Sequence, residues 1–133
     1  MASGLVQVEA NHLLDSSVKG TAYTAGTTPI KLALVTAIGS ATAAGTEVTG
    51  GSYARQDTTT ATIWGSASSG SITNSSGAVT FTNMPAATVV GMELWDNAGT
   101  PIRRWWGNLS ANKTTNSGDT LSFATSAITI TLA

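Results

Sequence analysis

The sequence predicts an all-β domain, a single antiparallel β-sandwich or small barrel with one N-terminal helix. Three observations point there. From residue 29 onward, short runs of alternating apolar and polar residues are separated by clusters of Gly, Ser and Asn, the pattern of strands joined by tight turns. Only one stretch, residues 4–18, carries apolar residues at loosely helical spacing. The 133 residues include no cysteine, so one hydrophobic core must hold the chain without disulfide staples. The whole of 1–133 therefore reads as one domain, with a helical segment or docking arm at 1–20 and the β-sandwich over 28–133.

Taken in order, the helix spans 4–18 with Leu5, Val6, Val8, Leu13, Leu14 and Val18 as its apolar residues, Ser3 as N-cap and Gly20 as stop. A helix of that length is marginal alone in water, so it must pack on its own sheet or on a neighbour. Pro29 to Thr36 reads as a strand with Ile30, Leu32 and Leu34 on one face and Lys31, Ala33 and Val35 on the other. Residues 37–51 form a small-residue loop closed by Gly50-Gly51. Tyr53 to Trp64 reads as a long strand, because the block Thr58-Thr59-Thr60 favours an extended backbone with a polar outward face. After a break at Gly65 to Gly70, Ile72 marks one short strand and Val79 with Phe81 another, with a turn at Asn74-Ser75-Ser76-Gly77. Val89 to Trp95 and Ile102 to Trp106 form the arms of a hairpin that turns at Asp96-Asn97-Ala98-Gly99. Leu121 with Phe123, and then Ile128, Ile130 and Leu132, supply two closing strands. Short strands at this even spacing suit a sandwich or small barrel.

Charged residues make up 10% of the chain and sum to −1. No basic stripe is available to displace counterions from phosphates, so nucleic acid is not an expected partner. No run reaches the eighteen or so apolar residues of a membrane span, so neither is a membrane. Met1-Ala2-Ser3-Gly4 lacks the basic and apolar regions of a signal peptide, which points to synthesis in the cytoplasm. A surface of Thr, Ser, Asn and Gly loses little hydration against another protein, so assembly into a homo-oligomer or larger particle is the expected mode of action.

Residues that carry chemistry are sparse. The single histidine, His12, sits within the helical segment, and no Gly-x-Ser-x-Gly elbow accompanies it. It reads as a surface or packing residue, and no enzymatic activity is expected. Asp96-Asn97 and Asp119 are isolated oxygen donors in turns, where Asx side chains bond their own backbone, so no metal site is expected. Gly45 to Gly51 lacks the Lys-Ser/Thr pair and following helix of a phosphate loop, and no other cofactor motif occurs.

Arg103-Arg104-Trp105-Trp106 demands a physical account. Strand alternation places Ile102, Arg104 and Trp106 on one face and Arg103 and Trp105 on the other. One tryptophan enters the core and its neighbour faces outward beside an arginine. Either a loop or the N-terminal helix covers that outer face, or it is an interface anchor of the kind that Trp and Arg commonly form. Trp64 and Trp95 fall at strand ends and read as core lids. A carbohydrate platform would need polar residues converging on them, and the sequence shows none.

Several segments together resemble a known family. Asn11-His12-Leu13-Leu14-Asp15, Gly20 to Ala25, Leu32-Ala33-Leu34 and Gly45 to Gln56 recur in that order in small virion proteins of tailed bacteriophages, often labelled tail fibre or head decoration proteins. Gly91 to Gly107 and Gly118-Asp119-Thr120 are similar too, and Glu47 to Gln56 is the most specific part. Residues 37–44, all small or aliphatic, depart from the pattern. The resemblance implies a structural role in the virion after synthesis in the host cytoplasm, with the major capsid protein or other virion proteins as partners. Tail-fibre shafts carry long repeats and this chain has none. A capsid decoration (cement) protein that stabilises the head shell from outside therefore ranks first, and a tail, baseplate or fibre component taking part in host attachment second. The candidate interface residues are Leu5, Val6, Leu13 and Leu14 of the N-terminal segment, with Arg103, Arg104, Trp105 and Trp106.

Overall fold

Apolar alternation resolves into ten strands and one helix in the computed structural model, which describes residues 4–132. In chain order these are β1 (Gly4–Leu5), α1 (Gln7–Ser17), β2 (Lys31–Ala37), β3 (Thr46–Glu47), β4 (Gln56–Asp57), β5 (Ser71–Thr73), β6 (Val79–Met84), β7 (Ala87–Trp95), β8 (Arg103–Thr115), β9 (Asp119–Phe123) and β10 (Thr129–Thr131). A six-stranded sheet runs in the order β1-β8-β7-β2-β3, with β4 also pairing β2. Two antiparallel ribbons, β6–β9 and β5–β10, complete the fold. The architecture is the expected all-β sandwich-like one, and the described strands do not close into a barrel.

The core lies between one face of the large sheet and the ribbons. Leu32 and Leu34 of β2 and Val89 and Leu94 of β7 meet Val79, Phe81 and Met84 of β6 and Leu121 and Phe123 of β9. Each such side chain contributes roughly 1.5–3 kcal/mol on burial. The opposite face is covered as well, which is why Ala33 and Val35 are as buried as their neighbours. Residues 38–45 lie over it, and Gly91 is the contact point: a Cβ there would collide with the Ile38 side chain and the Gly107 carbonyl.

Two expectations fail for identifiable reasons. The predicted helix over 4–18 begins only at Gln7, because Gly4 and Leu5 pair with Trp106 and Trp105 at the edge of β8. That edge offers unpaired backbone groups, and satisfying them outweighs two residues of helix propensity. Ser3, the expected N-cap, lies outside the described residues. The predicted strand Tyr53–Trp64 shrinks to Gln56–Asp57. The Asp57 carboxylate accepts from the Thr59 and Thr60 amides, folding the chain into a turn. The Thr58 hydroxyl, buried and not outward, donates to the Ile30 carbonyl, while the Thr59 hydroxyl accepts from the Ile30 amide. Local side-chain bonds have displaced the ladder that the threonine block favours. The 87–115 hairpin, by contrast, forms as expected and extends further, through Thr115.

Asn74 links the two ends of the β-ribbons. Fully buried, its amide donates to the Gly77 and Ala124 carbonyls at 2.8 and 2.9 Å, and its carbonyl accepts from the Ile128 amide at 2.8 Å. Asn74→Ala removes the partner of three backbone groups, of which the Ile128 amide is buried and the Gly77 and Ala124 carbonyls partly so, and a buried group left unpaired costs about 1–3 kcal/mol. We expect the unfolding free energy to fall by about 3 kcal/mol or more in urea titration, with Asn74→Asp also destabilising because a carboxylate cannot donate.

Candidate functional site

The Arg103–Trp106 segment does not follow simple alternation. The β7–β8 register pairs Trp95 with Arg103 but Leu94 with Trp105, so a bulge at Arg104 shifts the pattern by one residue. Trp105 therefore lies on the core side with Leu94, and Arg103 shares the opposite face with Trp106 and Glu93. Both arginines are buried, at 8% and 6% exposure, and neither is an outward anchor. Of the two expected alternatives, a covered face and an exposed anchor, the loop at Ser40 and α1 cover the two arginines, and the expected sharing of faces by Arg104 with Trp106 and Arg103 with Trp105 is corrected.

Each guanidinium is neutralised inside the chain. Arg103 donates to Glu93 Oε1 at 2.8 Å and to the Ser40 carbonyl, and Glu93 also accepts from the Gly45 amide and the Trp95 indole. The small-residue loop thus closes over this pair. Arg104 donates to Glu9 Oε2 at 2.6 Å and to Asp96 Oδ2 at 3.0 Å. Glu9 is the one residue of α1 that is buried, and it also accepts from the Tyr23 hydroxyl. Burial, the bond to Glu9 and the charge of Glu9 push that phenol up to about 12. Burial alone would raise the Asp96 carboxyl, but bonds from the Ile102 and Ala98 amides and from Arg104 outweigh it and hold it below the usual range. His12 is half-buried beside this cluster, with Nδ1 3.4 Å from Arg104 Nη1 and 3.9 Å from Glu9 Oε2. A further pair, Arg55 with Glu47, bridges β3 and the segment before β4, and Arg55 lies 4.3 Å over the Trp95 ring.

The other sequence-predicted residues fall in different places. Val6 is buried in the body, with its amide bonded to the Arg104 carbonyl, and so is not exposed for docking. Leu5 and Leu13 are half-buried, whereas Leu14 is 59% exposed on the outer side of α1 with Val18. Trp105 and Trp106 are half-buried. Sequence reasoning missed a cleft of about 340 Å³ between the 23–30 segment and the β5–β10 ribbon, walled by Trp64, Trp105, Ile30, Ile72, Leu94 and Ile130. Glu9, Tyr23, Thr28 and Arg104 also line it, so polar residues do converge on two of the tryptophans.

Residues 4–131 match the family of the podophage GP4 fiber I protein, gp80. The chain belongs to this family. It is accordingly a structural protein of a tailed-phage virion and acts among other virion components. No curated protein matches it significantly. The fiber I family segment singled out by the sequence, Glu47 to Gln56, is the knot in which Glu47 holds both Arg55 and the Tyr53 hydroxyl while Tyr53 accepts from the Leu34 amide.

Two outcomes follow from the Arg104 cluster. Arg104→Met leaves two buried carboxylates uncompensated and is expected to cost about 3–5 kcal/mol, with faster amide exchange throughout α1. Asp96 is held below its usual value of 3.8, so its contribution to stability is present above that value and is lost as pH falls through the folded one. Urea midpoints measured from neutral pH downward should drop below about pH 4, and Asp96→Asn should flatten this acid limb while lowering stability at neutral pH.

Proposed function

We propose that the chain is a non-catalytic component of the phage tail-fibre apparatus that takes part in host attachment. The observation that carries this reading is the match to a podophage fiber I protein over residues 4–131, nearly the whole chain. The lack of shaft-like repeats by itself favours capsid decoration. The fibre description of the family supports the tail apparatus instead, and a compact β-domain serves equally well as the head or base of a fibre. Its contacts with other virion proteins are drawn from the parts of the candidate interface that remain accessible, namely Leu5, Leu13 and Leu14 on the α1 side and Trp105 and Trp106 along β8. Leu14 and Val18, exposed on successive turns, form the apolar centre of that α1 surface.

Gold-labelled antibody against the purified protein, applied to intact virions, tests the assignment. Label on tail fibres or at the tail is expected, together with inhibition of adsorption to host cells by the same antibody. Label distributed over the head shell would restore capsid decoration and reject the fibre reading.

A further inference from the structure

The outer edge of a sheet offers unpaired backbone groups, and folded chains guard it with a charge, a bulge or a covering segment. Several edges here are guarded in this way. Ser68 exchanges both backbone bonds with Ser71, and the Gly65 amide donates to the Thr73 carbonyl, so residues 65–68 cap the outer edge of β5. The outer edge of β8 is paired by β1 at Trp105 and Trp106, and further along it carries the exposed Lys113 and a bulge opposite Val89 to Gly91. The β3 edge carries the Glu47–Arg55 pair. β10 has no such guard among the described residues. It pairs with β5 alone, and Thr120 to Leu132 include neither a charged residue nor a proline. Bonds from the Asn74 amide to the Ile128 carbonyl and from the Leu132 amide to the Gly70 carbonyl fix which residues face β5. By antiparallel alternation Ile128, Ile130 and Leu132 turn their backbone groups toward β5, and Thr129 and Thr131 turn theirs to the open edge.

We propose that β10 pairs with β10 of a second copy of this chain, antiparallel across a two-fold axis at Ile130. In that register Thr129 of each copy stands opposite Thr131 of the other. Both pairs exchange N–H···O bonds, so every open backbone group of Thr129 and Thr131 is satisfied. An axis at Thr129 would instead set Thr131 against Ala127, whose amide already donates to the Ala124 carbonyl. Residues directly opposite share a face. Ile130 therefore meets its counterpart on the axis, and Leu132, 51% exposed in a single chain, stands opposite Ile128 of the second copy. Ile128 and Ile130 line a hollow of about 150 Å³ with Trp64, Leu94 and Trp105, so the incoming leucine arrives at an apolar wall. A second copy is the occupant that this edge selects, because the edge is complementary to itself and no charge is desolvated. The pairing also turns a two-stranded ribbon, marginal by itself, into a four-stranded sheet. The ladder is short, so association is weak in dilute solution and strengthens where a particle holds copies close together. The contact is the same whether the chain sits in the tail or on the head.

Sedimentation of the intact protein from micromolar to millimolar concentration tests this, together with isotope-filtered NOE spectra of a mixture of labelled and unlabelled chains. A monomer–dimer equilibrium is expected, with an intermolecular contact between the Ile130 α-protons and slowed exchange of the Thr129 and Thr131 amides as concentration rises. Thr131→Pro is the deciding variant. It removes an amide that faces away from β5, so the β5–β10 ladder stays whole while dimerisation weakens at least tenfold. If its near-UV spectrum shows that it has not folded, Leu132→Lys replaces it. That change keeps every backbone donor, lies at an exposed position and sets a lone cation against the apolar hollow of the other copy, with the same weakening expected. A protein still monomeric at millimolar concentration, dimerisation undiminished in the folded variant, an oligomer of odd order, or intermolecular contacts that omit β10 would each overturn the proposal.

Discussion

Two arginines side by side on one strand, both inside the protein, set the terms for most of this fold. Neighbouring strand residues normally face opposite ways, so Arg103 and Arg104 reach two different sides of the sheet and need two separate sets of partners. Uncompensated, each buried charge would cost several kcal/mol. Glu93 meets one across the β7–β8 ladder, and Glu9 and Asp96 meet the other from α1 and from the turn that joins the strands. The ion pairs themselves add little net stability compared with an apolar replacement. What they fix is position: α1, the 96–102 turn and the 38–45 loop each sit where a guanidinium requires an oxygen.

The cleft is a consequence of that anchoring. Held by Glu9 and by the β1–β8 pairing, α1 starts the chain on one side of β8, and residues 18–30 must then travel back to the start of β2. They do so without regular structure, spanning the space beside Trp105 instead of filling it. Tyr23 ties the middle of this span to Glu9, and the Asn97 amide donates to the Thr27 carbonyl near its end. The same carboxylate therefore neutralises a buried arginine and holds one wall of the cleft.

The fold class was legible because alternation is a long-range property that survives local detail: β2, β6, β7, β9 and β10 all lie where the apolar residues alternate. Features set by one side chain were not. The Thr58–Thr60 block reads as strand by propensity, and only the position of Asp57 converts it to a turn. A one-residue bulge at Arg104 was likewise invisible, yet it reassigns the faces of Trp105 and Trp106 relative to Arg103. The aromatic half of the cleft was legible as four tryptophans, but its polar half comes from Glu9 and Tyr23, far away in sequence. The one available signal was an acidic residue, Glu9, between the apolar residues Val8 and Leu13 of the helical stretch, with an arginine pair elsewhere that lacked partners.

Scarcity of charge takes on a different meaning once the ion pairs are placed. All three arginines of the chain are committed to carboxylates within it, and with them Glu9, Glu47, Glu93 and Asp96. From the six basic and seven acidic residues of the sequence, this leaves three lysines and three aspartates, a net charge of zero, for the remaining surface. In place of charge that surface carries hydroxyls paired across strands, Ser71 with Thr131, Thr73 with Thr129 and Thr80 with Ser122. Such pairs already satisfy one another, so covering them with another protein strips away little water. A virion component must lie against its neighbours over much of its area, and a chain that pairs its arginines internally and its hydroxyls outside meets that demand with few charges to desolvate.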